Sequence, residues 1–214
     1  MRLLIIGATG ATGRELVSQA IAHGHDVAAL VRDAVKATFD LSVKIVVGDV
    51  LDAASLKAAL IGQEAVISSL GSAASGPFKK VTMLSEGTRN LIAAMKATGV
   101  ERLICITGFG ASESKSHMPR VAKWLILPLK LRGVYRDKTR QEEVVRASGL
   151  DWTLVRPTRL TNGVGEGIES VRAFAALTGI DVGPGTIRRA DVAAFCLREL
   201  ADRRFRHTAP VITN

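Results

Sequence analysis

Three glycines stand at three-residue spacing near the start of the chain, in Gly7-Ala8-Thr9-Gly10-Ala11-Thr12-Gly13. The short apolar run Leu3–Ile6 precedes them, and a pattern with Leu16, Val17, Ala20 and Ile21 on one helical face follows. A strand, a glycine turn and a helix in that order suit the binding of a pyrophosphate. The phosphates need backbone N–H groups aimed at them and no side chain in the way. Gly7 permits the tight turn, Gly10 lets the backbone approach, and Gly13 lets the helix lie close to the strand. The helix that opens at Ala11 adds unpaired N–H groups and a partial positive charge. Thr9 and Thr12 can add hydroxyl donors.

A pyrophosphate held this way belongs to a dinucleotide, and the end of the second strand selects which one. An acid there would hydrogen-bond the ribose hydroxyls of NAD. Here the strand ends Leu30-Val31-Arg32-Asp33, with Lys36 one helical turn on. A guanidinium suits a 2′-phosphate through charge-assisted, bidentate bonds. The expectation is NADP(H), with NAD(H) use left open by Asp33. Gly48-Asp49-Val50 ends the third strand, where Asp49 can accept from the adenine amino group. Its other reading is a cap for the helix Ala53–Leu60, a job Asp52 could also do. Leu70-Gly71 ends the fourth strand, where the backbone can pass close to the nicotinamide ribose.

These residues need a frame, and the chain supplies strands alternating with helices. Strands are expected at Leu3–Ile6, Val27–Val31, Val43–Val47, Ala65–Leu70, Arg102–Thr107, Trp152–Val155 and Pro210–Ile212. The clearest helices are Val81–Thr98, Val134–Ser148 and Ala190–Ala201, while Ile168–Leu177 reads equally as helix or strand. Such alternation implies an α/β fold, a doubly wound parallel sheet of the Rossmann type, in which ligands bind at the carboxyl ends of the strands. The 214 residues suit a single domain, with a basic, lid-like segment at 112–134 inserted after the fifth strand.

Composition narrows the function classes. No apolar run approaches the ~20 residues of a membrane span, and the first strand starts too early for a targeting segment, so a cytoplasmic protein is expected. Cys105 and Cys196 lie in apolar stretches and read as buried reduced thiols. The four histidines show no metal-ligand spacing, so no metal is expected. Net charge is +9. Between Lys115 and Arg140 eight basic residues face one acid, Asp137. That segment reads as a solvated lid, or as a surface for a partner or an anion. With one tyrosine in the chain, it lacks stacking platforms, and nucleic acid is not expected. The apolar Trp124–Leu131 within it reads as a lid over the substrate cleft, with an oligomer or membrane-surface contact as the alternative.

The chain resembles the atypical short-chain dehydrogenase/reductases, and within them the NAD(P)H-binding group that includes biliverdin reductase B (flavin reductase) and the NmrA-like proteins. The stretches that carry the resemblance are GATGATG at Gly7–Gly13, LVRD at Leu30–Asp33, VVGDVLD at Val46–Asp52 and MLSEGTRNLIAAMKATGV at Met83–Val100. SGLDWTLVRP at Ser148–Pro157 and RRADVAAF at Arg188–Phe195 complete them. The resemblance implies a cofactor site from the residues above, with Thr107 and Gly108 near the nicotinamide and Arg156, Pro157 and Thr158 at its rim. It also implies hydride transfer from NADPH to flavin- or tetrapyrrole-like acceptors in an open, shallow site.

Ordinary short-chain dehydrogenases use a Tyr-x-x-x-Lys pair for proton transfer. Here the tyrosine is Tyr135 and Thr139 stands four residues later, so that motif is absent. Lys138 lies three residues on, on the same helical face. Tyr135 and Lys138 are therefore the catalytic candidates, Lys138 matching the position of the family's lysine. Its other reading is a surface charge paired with Glu142. Where biliverdin reductase B-like proteins carry a serine after the threonine of the fifth strand, this chain has Gly108. Two functions compete: a reductase of a small planar acceptor, flavin- or quinone-like, and an NmrA-like sensor or interaction protein that binds the cofactor without turnover. A sugar-nucleotide epimerase or dehydratase would need the intact tyrosine and a larger substrate domain.

Overall fold

The computed structural model describes residues 1–35, 37–71, 81–117, 132–177 and 185–214. The first half carries β1 (Arg2–Ile6), α1 (Ala11–Ala22), β2 (Asp26–Val31), β3 (Lys44–Val47), α2 (Ala53–Leu60) and β4 (Ala65–Ser68). The second half carries α3 (Met83–Thr98), β5 (Arg102–Ile106), α4 (Arg132–Arg146), β6 (Asp151–Pro157), β7 (Arg159–Thr161) and β8 (Arg172–Phe174). It ends with β9 (Thr186–Arg188), α5 (Arg189–Asp202) and β10 (Val211–Thr213).

Eight strands form one sheet in the order β3-β2-β1-β4-β5-β6-β10-β8. All its pairs are parallel except β8 with β10. β1, β4, β5 and β6 are buried on both faces, as continuous apolar runs require, whereas the edge strands β3 and β8 are largely open to solvent. Along β1 the side chains alternate: Leu3 and Ile5 join a core with α1 and α5 residues, while Leu4 and Ile6 join one with α2 and α3 residues. Strand order reverses beside β1, with β2 on one flank and β4 on the other. That is where a doubly wound sheet opens a crevice.

Capping residues set the helix ends. Asp52 accepts from the backbone N–H groups of Ala54 and Ser55 and starts α2. Gly99, in the left-handed region at φ 74°, ends α3. The start of α3 is held from another helix: the buried Asp137 of α4 accepts from the Leu84 N–H at 2.9 Å and the Ser85 hydroxyl at 2.5 Å.

Several boundaries differ from expectation. α3 begins at Met83, not Val81, and the last strand is Val211–Thr213, not Pro210–Ile212. The ambiguous Ile168–Leu177 resolves into a 3-10 turn at Ile168–Ser170 followed by β8. The loop after β5 contains a 3-10 turn at Ser112–His117. β7 and β9 form a separate two-stranded sheet. Three-residue strands carry too little periodicity to be read from sequence. Among the described residues, no helix is long and apolar enough to cross a membrane.

Candidate functional site

A cleft of about 460 Å³ opens at the carboxyl ends of β1, β2 and β4, and every residue of the Gly7–Gly13 turn except Ala8 lines it. Gly7 has φ +76°, a conformation L side chains rarely adopt, and its carbonyl accepts from the Gly10 N–H at 3.0 Å. A Cβ on Gly13 would fall 2.1 Å from that same carbonyl oxygen, so only glycine lets α1 start this close to β1. The amino-terminal cap of α1 is Gly10; no side chain caps the helix and no acid stands in its first turn. The free N–H groups of that turn and their positive field are therefore directed at whatever enters the cleft. Ser69 braces the turn: its N–H donates to the Ile6 carbonyl at 2.9 Å and its hydroxyl reaches the same oxygen at 3.1 Å.

Arg32, at the tip of β2, lines the cleft and is exposed. Lys36 lies outside the described residues. Arg14, which sequence reasoning passed over, donates to the Thr38 carbonyl at 3.1 Å and sits 5.7 Å from the Phe39 ring centroid, bracing the loop beyond Arg32. Asp49 and Val50 line the cleft. Asp52 caps α2, while Asp49 accepts from the Leu51 N–H at 2.9 Å. Leu70 and Gly71 line the cleft beyond β4.

At the far end stand Thr107 and Lys138. Lys138 is not paired with Glu142; it donates to the Thr107 carbonyl at 2.6 Å. Burial lowers its pKa, against the opposing influence of Cys105, Glu142 and Asp137. Tyr135 is not among the lining residues, and burial raises the pKa of its phenol. The shared face of α4 thus brings one of the two catalytic candidates to the cleft. Gly108 also lies just outside the lining, with Lys138 Cε 3.9 Å from where its Cβ would be.

Arg156, Pro157 and Thr158, expected at the rim, are not among the residues that line the cleft. Arg156 is 2% exposed and paired with Glu142 and Glu113. The Pro157 carbonyl accepts from the Phe109 N–H at 3.0 Å, and Thr158 is buried against Thr213, hydroxyl to hydroxyl at 3.1 Å. β6 runs to Pro157, so these positions turn into the sheet. The wall is built instead by Met83, Leu160 and Arg189. Arg189 is steadied by Asn162 at 2.6 Å. Two segments far apart in sequence, β7 and the start of α5, meet to form this wall, and no local signal marks that meeting.

Glu113 ties the 3-10 turn after β5 to the core through Arg156 at 2.8 Å and Arg146 at 3.0 Å. Burial works to raise its pKa, but the hydrogen bond from Arg156, a local backbone bond and the two guanidinium charges prevail and hold it at about 2. A depressed carboxylate pKa stabilises the fold above the ordinary value of 4.5, and that contribution is lost as pH falls toward about 2. The side chain is 62% exposed, so solvent screens the effect. Urea unfolding at pH 5 and pH 2.5 should show a smaller acid-induced loss for Glu113→Gln than for the parent protein.

Both cysteines are buried and free, and burial pushes the Cys105 thiol up to about 12 and that of Cys196 well above its usual range. Among the described residues no cluster of histidine, cysteine and carboxylate side chains could hold a metal. Of the basic segment, residues 118–131, including Trp124–Leu131, lie outside the described residues. Arg140 within it turns inward, to the Val81 carbonyl at 2.5 Å and to Asp137 at 3.2 Å.

Residues 7–203 match the family described as NAD(P)H-binding. The chain belongs to that NAD(P)H-binding family. Its glycine turn and uncapped α1 give the family's defining ligand a fitting cradle. The fold is shared with ChuY of Escherichia coli O157:H7, described as an anaerobilin reductase, with a TM-score of 0.82 and 24% identity over 100% of this chain and 97% of that one. It is shared equally with a short-chain dehydrogenase/reductase from Veillonella parvula solved in complex with NADP, at a TM-score of 0.82 and 16% identity, covering 100% of this chain and 94% of that one. Among curated proteins, the photosystem II assembly factor Ycf39 of Cyanophora paradoxa is 32% identical over 158 residues, 73% of this chain. The match spans 44% of that relative's length.

Proposed function

We propose that this protein is an NADPH-dependent oxidoreductase that passes a hydride to a small planar acceptor of flavin or quinone type. The observation that carries the reading is the continuity of the cleft. It runs from the glycine turn past Arg32 and Asp49 to an end framed by Thr107, Lys138, Met83 and Leu160, where a proton-bearing side chain and two apolar ones meet. Gly7, Gly10, Ala11, Thr12 and Gly13 would hold the pyrophosphate, Asp49 and Val50 the adenine, and Leu70 and Gly71 the ribose near the reacting ring. The bound dinucleotide supplies the hydride. The chain's own part is to orient the two rings, exclude water with Met83 and Leu160, and present Lys138 as the proton source. The structural neighbour ChuY, described as an anaerobilin reductase, supports the same class.

NADP(H) selection rests on Arg32, exposed at the tip of β2 with no acid in its place. Arg32→Ala should weaken NADPH binding by about 1.5–3 kcal/mol, the range for hydrogen bonds to charged groups, and leave NADH nearly unchanged. Titration of intrinsic fluorescence with each cofactor checks this; equal losses would remove Arg32 from the 2′-phosphate.

The class itself is tested by following NADPH oxidation with FMN, riboflavin, menadione and biliverdin as acceptors, and NADH in parallel. Turnover faster with NADPH establishes the reductase. Saturable NADPH binding without turnover favours the second reading, a cofactor-binding interaction protein. Two observations speak for that alternative: Tyr135 is absent from the cleft lining, and the curated relative reported above is named an assembly factor.

A further inference from the structure

Behind Lys138 lies a buried polar cluster centred on Glu142. Glu142, one helical turn along α4 from Lys138, is 0% exposed. Its Oε1 accepts from the Thr107 hydroxyl at 2.7 Å and from Arg156 Nε at 2.9 Å. Its Oε2 accepts from Arg156 Nη2 at 2.5 Å and from the Ser112 hydroxyl at 2.7 Å. Arg146 stands further off, at 3.9 Å.

Counting donors gives two consequences. A threonine hydroxyl has one proton, and Glu142 takes it, because the competing Val155 carbonyl is 3.5 Å away. The Thr107 oxygen can then offer the cleft only its lone pairs. The second consequence concerns Lys138. A carboxylate at i+4 is the usual partner of a helical lysine, but here Arg156 has engaged it with two N–H groups. Among the described residues no carboxylate lies within ion-pair distance of Lys138. One of its three N–H groups goes to the Thr107 carbonyl, and the other two stay on a side chain that lines the cleft.

We propose that Glu142, locked by Arg156, is a positioning residue that fixes Thr107 as a hydrogen-bond acceptor facing the cleft and keeps Lys138 there as a proton donor without a carboxylate partner. The kinetic part rests on the reductase reading; the geometric part does not. In that reaction the acceptor gains a hydride with its electron pair and is reduced, while the dinucleotide is oxidised. Lys138 gives one proton to the acceptor atom that becomes negative. An N–H bond of the ammonium breaks, and the neutral amine regains a proton from water. Thr107 would accept from an N–H of the dinucleotide when it is bound.

The titratable groups that act on Lys138 are Cys105 from β5 and Asp137 and Glu142 from α4; Arg156 from β6 is paired with Glu142, and Arg189 from α5 lines the same cleft. Glu142→Gln removes a negative charge near Lys138 and leaves Glu113 alone against the Arg156 charge, so Lys138 should lose its proton more readily. Amine labelling with trinitrobenzenesulfonate across pH 6–11, with Lys138 followed by peptide mass spectrometry, should then show a midpoint lower by about one unit. The paired change Glu142→Leu with Arg156→Met carries no buried charge and should fold even if Glu142→Gln does not. It should leave the labelling midpoint near the parent value but free the Thr107 proton. With menadione as acceptor, kcat should fall roughly tenfold with little change in KM, as for an interaction made at the transition state. Thr107→Val should weaken NADPH binding severalfold in a fluorescence titration.

Parental kcat in the paired variant, together with parental NADPH affinity in Thr107→Val, would make the cluster merely structural and overturn the proposal. An unmoved midpoint in Glu142→Gln overturns its Lys138 half. If the parent protein reduces no acceptor, the reductase reading fails by itself, and the labelling midpoint and NADPH affinity still decide the positioning role.

Discussion

Arg156→Met should destabilise the protein by about 3–5 kcal/mol, the usual cost of stripping one partner from a buried ion pair. In a domain of this size that corresponds to a fall of about 6–20 °C in Tm. Glu142 is fully buried, being 0% exposed. Without Arg156 its charge would be left to two hydroxyls, from Thr107 and Ser112, and to Arg146 at 3.9 Å. Two hydroxyl dipoles do not replace a bidentate guanidinium. The paired change with Glu142→Leu should recover most of the loss, since it removes both charges and keeps apolar volume. Urea unfolding of the two single variants and the pair gives the coupling directly. If Arg156→Met costs less than about 1 kcal/mol, the ordinary scale of an exposed pair, then water reaches Glu142 and the buried-pair description is wrong.

Gly13→Ala should harm both the fold and the site. The new Cβ would lie 2.1 Å from the Gly7 carbonyl oxygen and 2.7 Å from Ala8 Cα. Both are backbone atoms, so relief requires α1 to move away from β1. Overpacking of this kind costs about 1–3 kcal/mol or more. α1 also packs on α5, and its Gln19 donates to the Ala190 carbonyl at 3.0 Å, so the shift would be felt across one layer of the domain. The functional cost follows from the same movement. The N–H groups of the first turn would no longer converge with Gly7, and losing even one hydrogen bond to a charged phosphate weakens binding by about 1.5–3 kcal/mol, some ten- to hundredfold. NADPH and NADH should lose affinity alike, because the pyrophosphate is common to both. That separates this variant from Arg32→Ala, where only NADPH should suffer. Parental affinity for both cofactors would mean that the pyrophosphate does not sit on this turn.

The two experiments address different ends of the cleft. The glycine turn decides whether a dinucleotide binds at all. The Thr107, Lys138 and Glu142 cluster decides what is done to its partner. A protein that keeps the first and is indifferent to changes in the second would be a cofactor-binding interaction protein rather than a reductase.

Much of this molecule is local, and so it was legible in sequence. The apolar run of β1, the glycine spacing and the α1 pattern are contiguous, and each follows from steric and periodic rules that act over a few residues. For the same reason the bounds of α2 and the place of Arg32 at the tip of β2 follow from local pattern, while the choice of Asp52 over Asp49 as the cap of α2 does not. What the tertiary structure decided was always a meeting of distant segments. Pairing with Arg156 from β6 takes Glu142 away from Lys138, its neighbour on α4, and buries Arg156 with it. Asp137, one acid in a basic stretch, became the anchor for the start of α3. Leu160 and Arg189 reached the cleft only because β7 pairs with β9 beside it. A sequence read in windows states the neighbours along the chain. Which buried carboxylate meets which cation depends on who else is buried with them, and that is set only when the layers close.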